Sequence, residues 1–483
     1  MTVCDRLKIA YYKGGGGMSP RLLQKYIMST SRRPLALHNS ASSNKPRTSP
    51  MAEINTVVDN FTLCSPRPSA HLDTQAPNAA EVDPLSLTVA HTTLDITDIP
   101  ENHVLIKVDK FGFSTNNITY QALGEHPHFR SYFDFHAAPT PDLAKTHGII
   151  PVWGFGTIAS STHSSVQAGE RVYGYFAPTR YLVLPVSALD ENGCAFSVHR
   201  PHFPRDRQPY HQVIRCAADP GMYAPTPEGE DFTMIYRPLF LTAFWCEDWI
   251  TGSYGCNKGK NLTVLVASAS AKTAVCFIYL IQRRIKTGEL PHVSVVGLTS
   301  KKNLAFTNSL GLYNDVYTYD SFELGGKMQN EKDRRWIYVD VAGNDSINTR
   351  LRTHFSSPGV GQVIKHIALG VTNLVPSTSA QSWSHIASAP DAPEVDGRSP
   401  WPAAELFFLP EWLQVRQRQM SMSGVMERQN VSWEEWMADC SRWVQLERVY
   451  GPGNVRDDYA RIAKEGPGPT VGLVWSMWDG PSP

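Results

Sequence analysis

Two short polar turns carry the residues with most chemistry to offer. The first, Ser268-Ala269-Ser270-Ala271-Lys272-Thr273, follows the apolar run 264–267, and the second, Thr299-Ser300-Lys301-Lys302, follows the apolar run 293–298. Each turn leads into a helical pattern, so 261–320 reads strand, turn, helix, strand, helix. A helix that starts where a buried strand ends offers free backbone N–H groups and the positive end of its dipole, which together suit a phosphate. Ser268, Ser270 and Thr273 add hydroxyl donors, and Lys272 adds a cation at the helix start. The layout is that of one dinucleotide-binding half, yet the glycines that usually let the backbone approach a pyrophosphate are absent. Alanine and serine are the next smallest side chains. Two readings stay open: the turn binds phosphate through hydroxyls and an ammonium, or it only packs.

The second turn holds no Asp or Glu to accept hydrogen bonds from the ribose hydroxyls of NAD. Thr299, Ser300, Lys301 and Lys302 instead suit the 2′-phosphate of NADP, and NADP(H) is the favoured cofactor. The bland reading of the lysines is a solvated helix start. Ala271-Lys272-Thr273 is close to the end of a P-loop, but that loop needs glycine at both ends, where Val266 and Ala271 stand, so the pattern argues against nucleotide hydrolysis. Gly124-Glu125-His126-Pro127-His128 groups an acid with two imidazoles, in the wrong order for a zinc site and with no thiol near. No metal is expected.

Around these turns the chain of 483 residues has room for two or three domains. Apolar residues make up 42%, charged residues 19%, and the formal net charge is zero, so neither a nucleic-acid surface nor a membrane surface is indicated. The eight cysteines include no CxxC pair, which fits reduced thiols. Lys272 and small polar residues interrupt the longest apolar stretch, 262–282, which reads as strand plus helix and not as a membrane span. Residues 1–50 are basic and Ser-rich with one acid, Asp5. They read as a transit peptide or as a tail outside the fold, with Met28 or Met51 as alternative first residues. The expected location is cytoplasmic, or mitochondrial if 1–50 is a transit peptide. Short strands punctuated by Gly and Pro at 104–113, 148–158, 170–175 and 181–185 suggest a small, partly open barrel. Residues 190–231 show no periodicity and read as a lid or insertion. An apolar helix follows at 236–250, further strands at 336–340 and 366–370, a linker at 377–400, helices over 411–449 and a last strand at 470–478.

This order, and several segments within it, resemble the medium-chain dehydrogenase/reductase family. VLIKVDKFGFSTNNITYQALG is similar to its strand followed by an Asn-Pro-x-Asp-type turn, and Gly169-Glu170-Arg171-Val172 to its Gly-Asp-Arg-Val step. LAFTNSLGLYNDVYTYD and WIYVDVAGND are similar to later strand ends of its nucleotide-binding domain. The collinear set spans about 104–371. NNITY, PVWGF, GERVYGYF and the SASAKTA turn also resemble a narrower group, the uncharacterised DUF2855 proteins.

The resemblance implies an α/β fold that combines a Rossmann-type nucleotide-binding domain with a GroES-like small β-barrel. The implied division is a disordered or targeting tail at 1–84, a GroES-like domain at 85–235 with an insertion near 190–231, and a Rossmann-like domain at 236–375. A linker at 376–400 and a return segment at 401–483 complete it. By similarity, Ser268, Ala269, Ser270, Lys272, Thr273, Thr299, Ser300, Lys301 and Lys302 hold the cofactor, with Gly343, Asn344, Gly370 and Val371 at its nicotinamide end. Asn116, Asn117 and Tyr120 face the nicotinamide. Tyr120 would supply a proton and Asn116 would bond a carbonyl. The expected activity is zinc-independent, NADP(H)-dependent hydride transfer to an activated C=C or C=O of quinone, enone or enoyl type. The alternative is a catalytically inactive fold that binds a partner. A small-molecule substrate and a homodimer are the associations the resemblance suggests.

Overall fold

The structure, a computed structural model, describes residues 56–67, 86–125, 132–190, 192–203, 208–253, 262–329, 332–357, 359–369, 401–407 and 409–481. The linker expected at 376–400 lies outside them.

Leu262–Ala267 is apolar at nearly every position because it lies inside a six-stranded sheet covered on both faces. Val293–Thr299 and Asp315–Thr318 extend the sheet on one side, and Arg335–Asp340, Gln362–Ala368 and Ala404–Leu406 on the other. All neighbours are parallel, with Val264 opposite both Val295 and Ile337. This is the doubly wound order, whose switch point lies at the C-terminal end of the first strand. Alternate side chains serve opposite faces. Leu262, Val264 and Val266 pack with Phe277, Ile278 and Ile281 of helix Lys272–Lys286. Leu265 and Ala267 pack with Trp336, Tyr338 and Leu351 on the other side. Each such aliphatic side chain contributes roughly 1.5–3 kcal/mol by leaving water. Arg283, Arg284 and Lys286 in the last turn of that helix complement its dipole.

The second body is a nine-stranded, mainly antiparallel sheet that forms the GroES-like barrel. Its spine, His103–Phe113, pairs with Val152–Ser161 on one side and with Tyr181–Pro185 and Val471–Ser476 on the other. The C-terminal strand therefore returns to the first half of the chain, where Trp475 stacks on Phe113 with ring centroids 4.2 Å apart. The charged pair of the Gly-Glu-Arg-Val step is structural. Glu170 accepts from Arg215 at 2.6 Å, and Arg171 donates to Glu230 at 2.8 Å and also bonds Asp109. Lys110 and Arg448 both grip Asp231, each at 2.6 Å. Glu230 and Asp231 open the long helix Pro227–Ser253, so this network fixes the helix against the barrel.

Three expectations from the sequence are corrected. The stretch 1–84 is not all tail, because Val57–Pro66 pairs with Thr88–Asp95 and with His147–Gly148 and buries Leu63 and Cys64. The Pro- and Asn-rich text after it masks the strand. The aperiodic 190–231 supplies Ala195–Ser197 and Gln212–Arg215 to the barrel sheet, strands too short to show a period. The helical pattern expected over 411–449 ends earlier. Helix Met422–Asp439 is followed by strand Gln445–Tyr450, Gly451 at φ 90° and helix Pro452–Glu465. Gly451 is left-handed and Pro452 lacks an N–H, so no helix runs through them.

Candidate functional site

A cleft of about 710 Å³ opens where the parallel strands end and the barrel begins. Ser268, Ser270, Lys272, Thr273 and Asn303 line it on the sheet side, with the strand ends Val341, Ala342 and Leu369. Asn116, Thr119, Tyr120, Trp153, Tyr173 and Tyr210 line it on the barrel side, and the long helix adds Arg237.

The first turn keeps a glycine-type path without a glycine. Ser268 has φ 55°, left-handed backbone that carries a cost of order 1–3 kcal/mol for a residue with a side chain. Tyr319 holds it there. Its hydroxyl accepts the Ser268 N–H at 2.9 Å and lies 3.2 Å from Ser268 Oγ. Ala269 is fully buried; its N–H donates to Leu298 O at 2.9 Å and its carbonyl accepts from the Tyr313 hydroxyl at 2.8 Å. The methyl of Ala269 is accommodated by a glycine on the next strand: a Cβ at Gly297 would lie 2.9 Å from Ala269 Cβ. The small residue required for close strand–helix packing has moved from the turn to the strand facing it. Ser270 Oγ accepts from Asn303 Nδ2 at 2.9 Å and, weakly, from the buried Thr299 hydroxyl at 3.4 Å.

Lys272 opens the helix Lys272–Lys286, and no side chain caps that helix. Its ammonium makes no hydrogen bond or ion pair with a described residue, and burial pushes its pKa down to about 8. The N–H groups of Lys272, Thr273 and Ala274 precede the first intrahelical bond, which Val275 makes to Ala271. Of the second turn, Thr299 is buried, while Lys301 and Lys302 are exposed in a single 3₁₀ turn after Ser300. Gly343, at φ 68°, donates its N–H to Asp340 Oδ1 at 2.9 Å, and Asn344 caps helix Asp345–Phe355 by accepting from Ile347 N–H at 3.1 Å. Neither is among the cleft walls, whereas the adjoining Ala342 is. Gly370 and Val371 lie outside the described residues.

At the barrel end, the helix Thr115–Ala122 starts directly after the spine strand and sets Asn116, Thr119 and Tyr120 on the cleft. Asn117 is buried instead. It accepts from Ser114 N–H at 2.9 Å and donates to Pro151 O at 3.2 Å, so it positions this helix. Tyr120 leans on Tyr132 at 4.5 Å and meets Tyr175 edge-on at 5.7 Å. Burial holds its phenol well above the ordinary tyrosine range, so it stays protonated. Trp153 and Tyr175 bring an N–H and an O–H near its hydroxyl without reaching full hydrogen-bond geometry. Sequence reasoning missed Asn303, Trp153, Tyr173 and Arg237. The aromatics had one visible signal, their alternation with glycine in VWGFG and RVYGYF. Asn303 lies just past the lysines that drew attention.

His126 and His128 fall outside the described residues. Among the described residues, no cluster of His, Cys, Asp or Glu is placed to hold a metal ion, and no helix is long and apolar enough to cross a membrane. The fold aligns with CurA from Vibrio vulnificus in complex with NADPH, at 12% identity and TM-score 0.50, over 87% of this chain and 99% of that one. It also aligns with Etr1p bound to NADP and crotonyl-CoA, at 12% identity and TM-score 0.49, over 87% and 100%. At such identity the CurA likeness shows the shared fold alone. No curated protein matches the sequence. The model of one family, described as a protein of unknown function (DUF2855), matches residues 111–467. That span covers most of the chain, and the protein belongs to the DUF2855 family.

Proposed function

We propose that this protein is a zinc-independent, NADP(H)-dependent oxidoreductase acting on an activated C=C or C=O. The observation that carries the reading is Lys272, an uncommitted ammonium at an uncapped helix start, facing one cleft with the protonated hydroxyl of Tyr120 at its far end. The residues present fit a dinucleotide. An unpaired half-buried cation and free N–H groups call for an anion, and the second strand ends without an acid that would repel a 2′-phosphate. CurA, which shares the fold, binds NADPH.

When bound, the nicotinamide supplies the hydride. Lys272, the N–H of Thr273 and the Thr273 hydroxyl would hold the pyrophosphate. Asn303 and the Lys301–Lys302 pair would meet the 2′-phosphate, which favours NADP(H) over NAD(H). Asn116 would orient the substrate carbonyl. The high pKa of Tyr120 keeps its proton until a strongly basic oxygen develops beside it, and then the phenol donates it. The aromatic walls exclude water from that end. A second reading, an inactive fold that binds a partner, draws on the Ser268 N–H, which is committed to Tyr319.

Calorimetric titration of the full chain with NADPH and with NADH tests the proposal. Micromolar NADPH binding with much weaker NADH binding is expected. A folded protein that binds neither would replace the reductase reading with the inactive one.

A further inference from the structure

We infer that the barrel end of the cleft takes a planar aromatic carbonyl compound bearing phenolic hydroxyls, and not an aliphatic enoyl chain. The inference names the substrate class for the oxidoreductase reading above and rests on it.

The walls are flat rings. Trp153 lies nearly parallel to Tyr173, with centroids 5.5 Å apart and planes at 15°, and Tyr210 stands 6.0 Å from Trp153. A planar conjugated guest matches such walls, since offset rings attract through their quadrupoles as well as by excluding water. A flexible alkyl chain would gain only the second part.

The same walls hold polar atoms with nothing to bond. Tyr173 is 2% exposed and Thr119 8% exposed, and neither the Tyr173 hydroxyl nor Thr119 Oγ1 has a hydrogen-bond partner. Buried polar atoms are normally satisfied, and a cleft that carries two unsatisfied hydroxyls is complementary to a guest with oxygens at those places. Arg237 adds direction. Its guanidinium lies over the Tyr173 ring at 5.1 Å and against Asp219 at 2.7 Å. Donor and acceptor thus stand side by side as a neutral pair on the cleft wall. Such a pair reads a phenol, which both donates and accepts, better than a free carboxylate, which Asp219 would repel. A hydrocarbon tail would leave all of these groups unmet.

The test uses the full chain without cofactor, titrated calorimetrically with a dihydroxyflavone and with unsubstituted flavone. Both are planar conjugated ketones that do not alkylate cysteine. The dihydroxyflavone is expected to bind about tenfold or more tightly. Tyr173→Phe and Thr119→Val should each shrink that preference to about threefold or less while the affinity for flavone stays the same, which also shows the pocket intact. Equal affinity of the two flavones for the wild-type chain would overturn the inference, as would a preference that survives both substitutions together. No cofactor is present, so failure here is distinct from failure to bind NADPH.

Discussion

The two ends of the cleft treat their polar groups in opposite ways. At the sheet end several polar groups of the first turn are already committed: Ser268 to Tyr319, Ser270 to Asn303, and Ala269 to Leu298 and Tyr313. What is left over includes the Lys272 ammonium, the Thr273 hydroxyl and the helix start they share. At the barrel end the rings are packed tightly, yet the hydroxyls of Tyr173 and Thr119 are unmet. The first arrangement is preorganised for a charge and indifferent to fine shape. The second leaves hydrogen bonds to be completed by the guest, which is how a site discriminates among similar molecules. A cofactor shared by many reactions suits the first end, and a selected substrate suits the second.

The largest effect should come from the barrel end. Tyr120→Phe removes the only atom by which that ring could deliver a proton. Turnover with NADPH and an accepted substrate should fall by about 10²–10⁴-fold, with NADPH affinity unchanged. A loss in affinity of the same size, measured by calorimetry, would mean that Tyr120 shapes the cofactor site and that the two ends are not separable.

Packing at the sheet end comes next. Gly297→Ala places a methyl 2.9 Å from Ala269 Cβ and 3.0 Å from the Tyr313 ring. It should destabilise the chain by about 1–3 kcal/mol in urea unfolding and weaken NADPH binding. Adding Ala269→Gly should recover much of both losses. No recovery would show that the tyrosine, and not the turn, sets the limit.

That exchange also shows what could be read from sequence. The apolar runs 262–267 and 293–298 announce buried parallel strands, and the polar turn after each announces a helix start, because these signals are local. The loss of turn glycines was equally plain, but its compensation was not. Gly297 in the strand and Tyr319 beyond the third strand act across the fold, and nothing in the sequence ties them to Ser268 and Ala269. The strand Val57–Pro66 was hidden for a related reason: its partner Thr88–Asp95 is separated from it by Pro-rich text. The aromatic end was the least legible, since Trp153 and Tyr173 look like any strand core until Arg237 arrives from the long helix.

Lys272 should give an effect of about 10- to 100-fold, and it separates function from packing by sign. A charged hydrogen bond contributes roughly 1.5–3 kcal/mol, so Lys272→Met should weaken NADPH and NADH alike by that factor. The folded-state pKa of about 8 lies below the ordinary lysine value of 10.5, so folding disfavours the charged form. The resulting penalty on stability is complete below pH 8 and vanishes above pH 10.5. Lys272→Met should therefore raise stability at pH 7 by on the order of 1 kcal/mol while it lowers affinity. In the wild-type chain, NADPH affinity should fall as pH rises through 8, and this slope should be absent in the variant. A variant that is both less stable and weaker in binding would assign Lys272 to packing alone.

The smallest expected effect is the most discriminating one at the sheet end. Lys302 is exposed, so its contribution to any phosphate is screened by solvent and salt. Lys302→Glu should leave stability within about 0.5 kcal/mol of wild type and NADH binding nearly unchanged, because NADH carries nothing at that position. NADPH binding should weaken by about tenfold, more at low salt than at high. Lys272→Met strikes both cofactors and Lys302→Glu strikes one, so the pair divides the pyrophosphate from the 2′-phosphate. Equal losses of NADPH and NADH in Lys302→Glu would remove the second turn from cofactor selection, and the sheet end would then read charge without reading which nucleotide carries it.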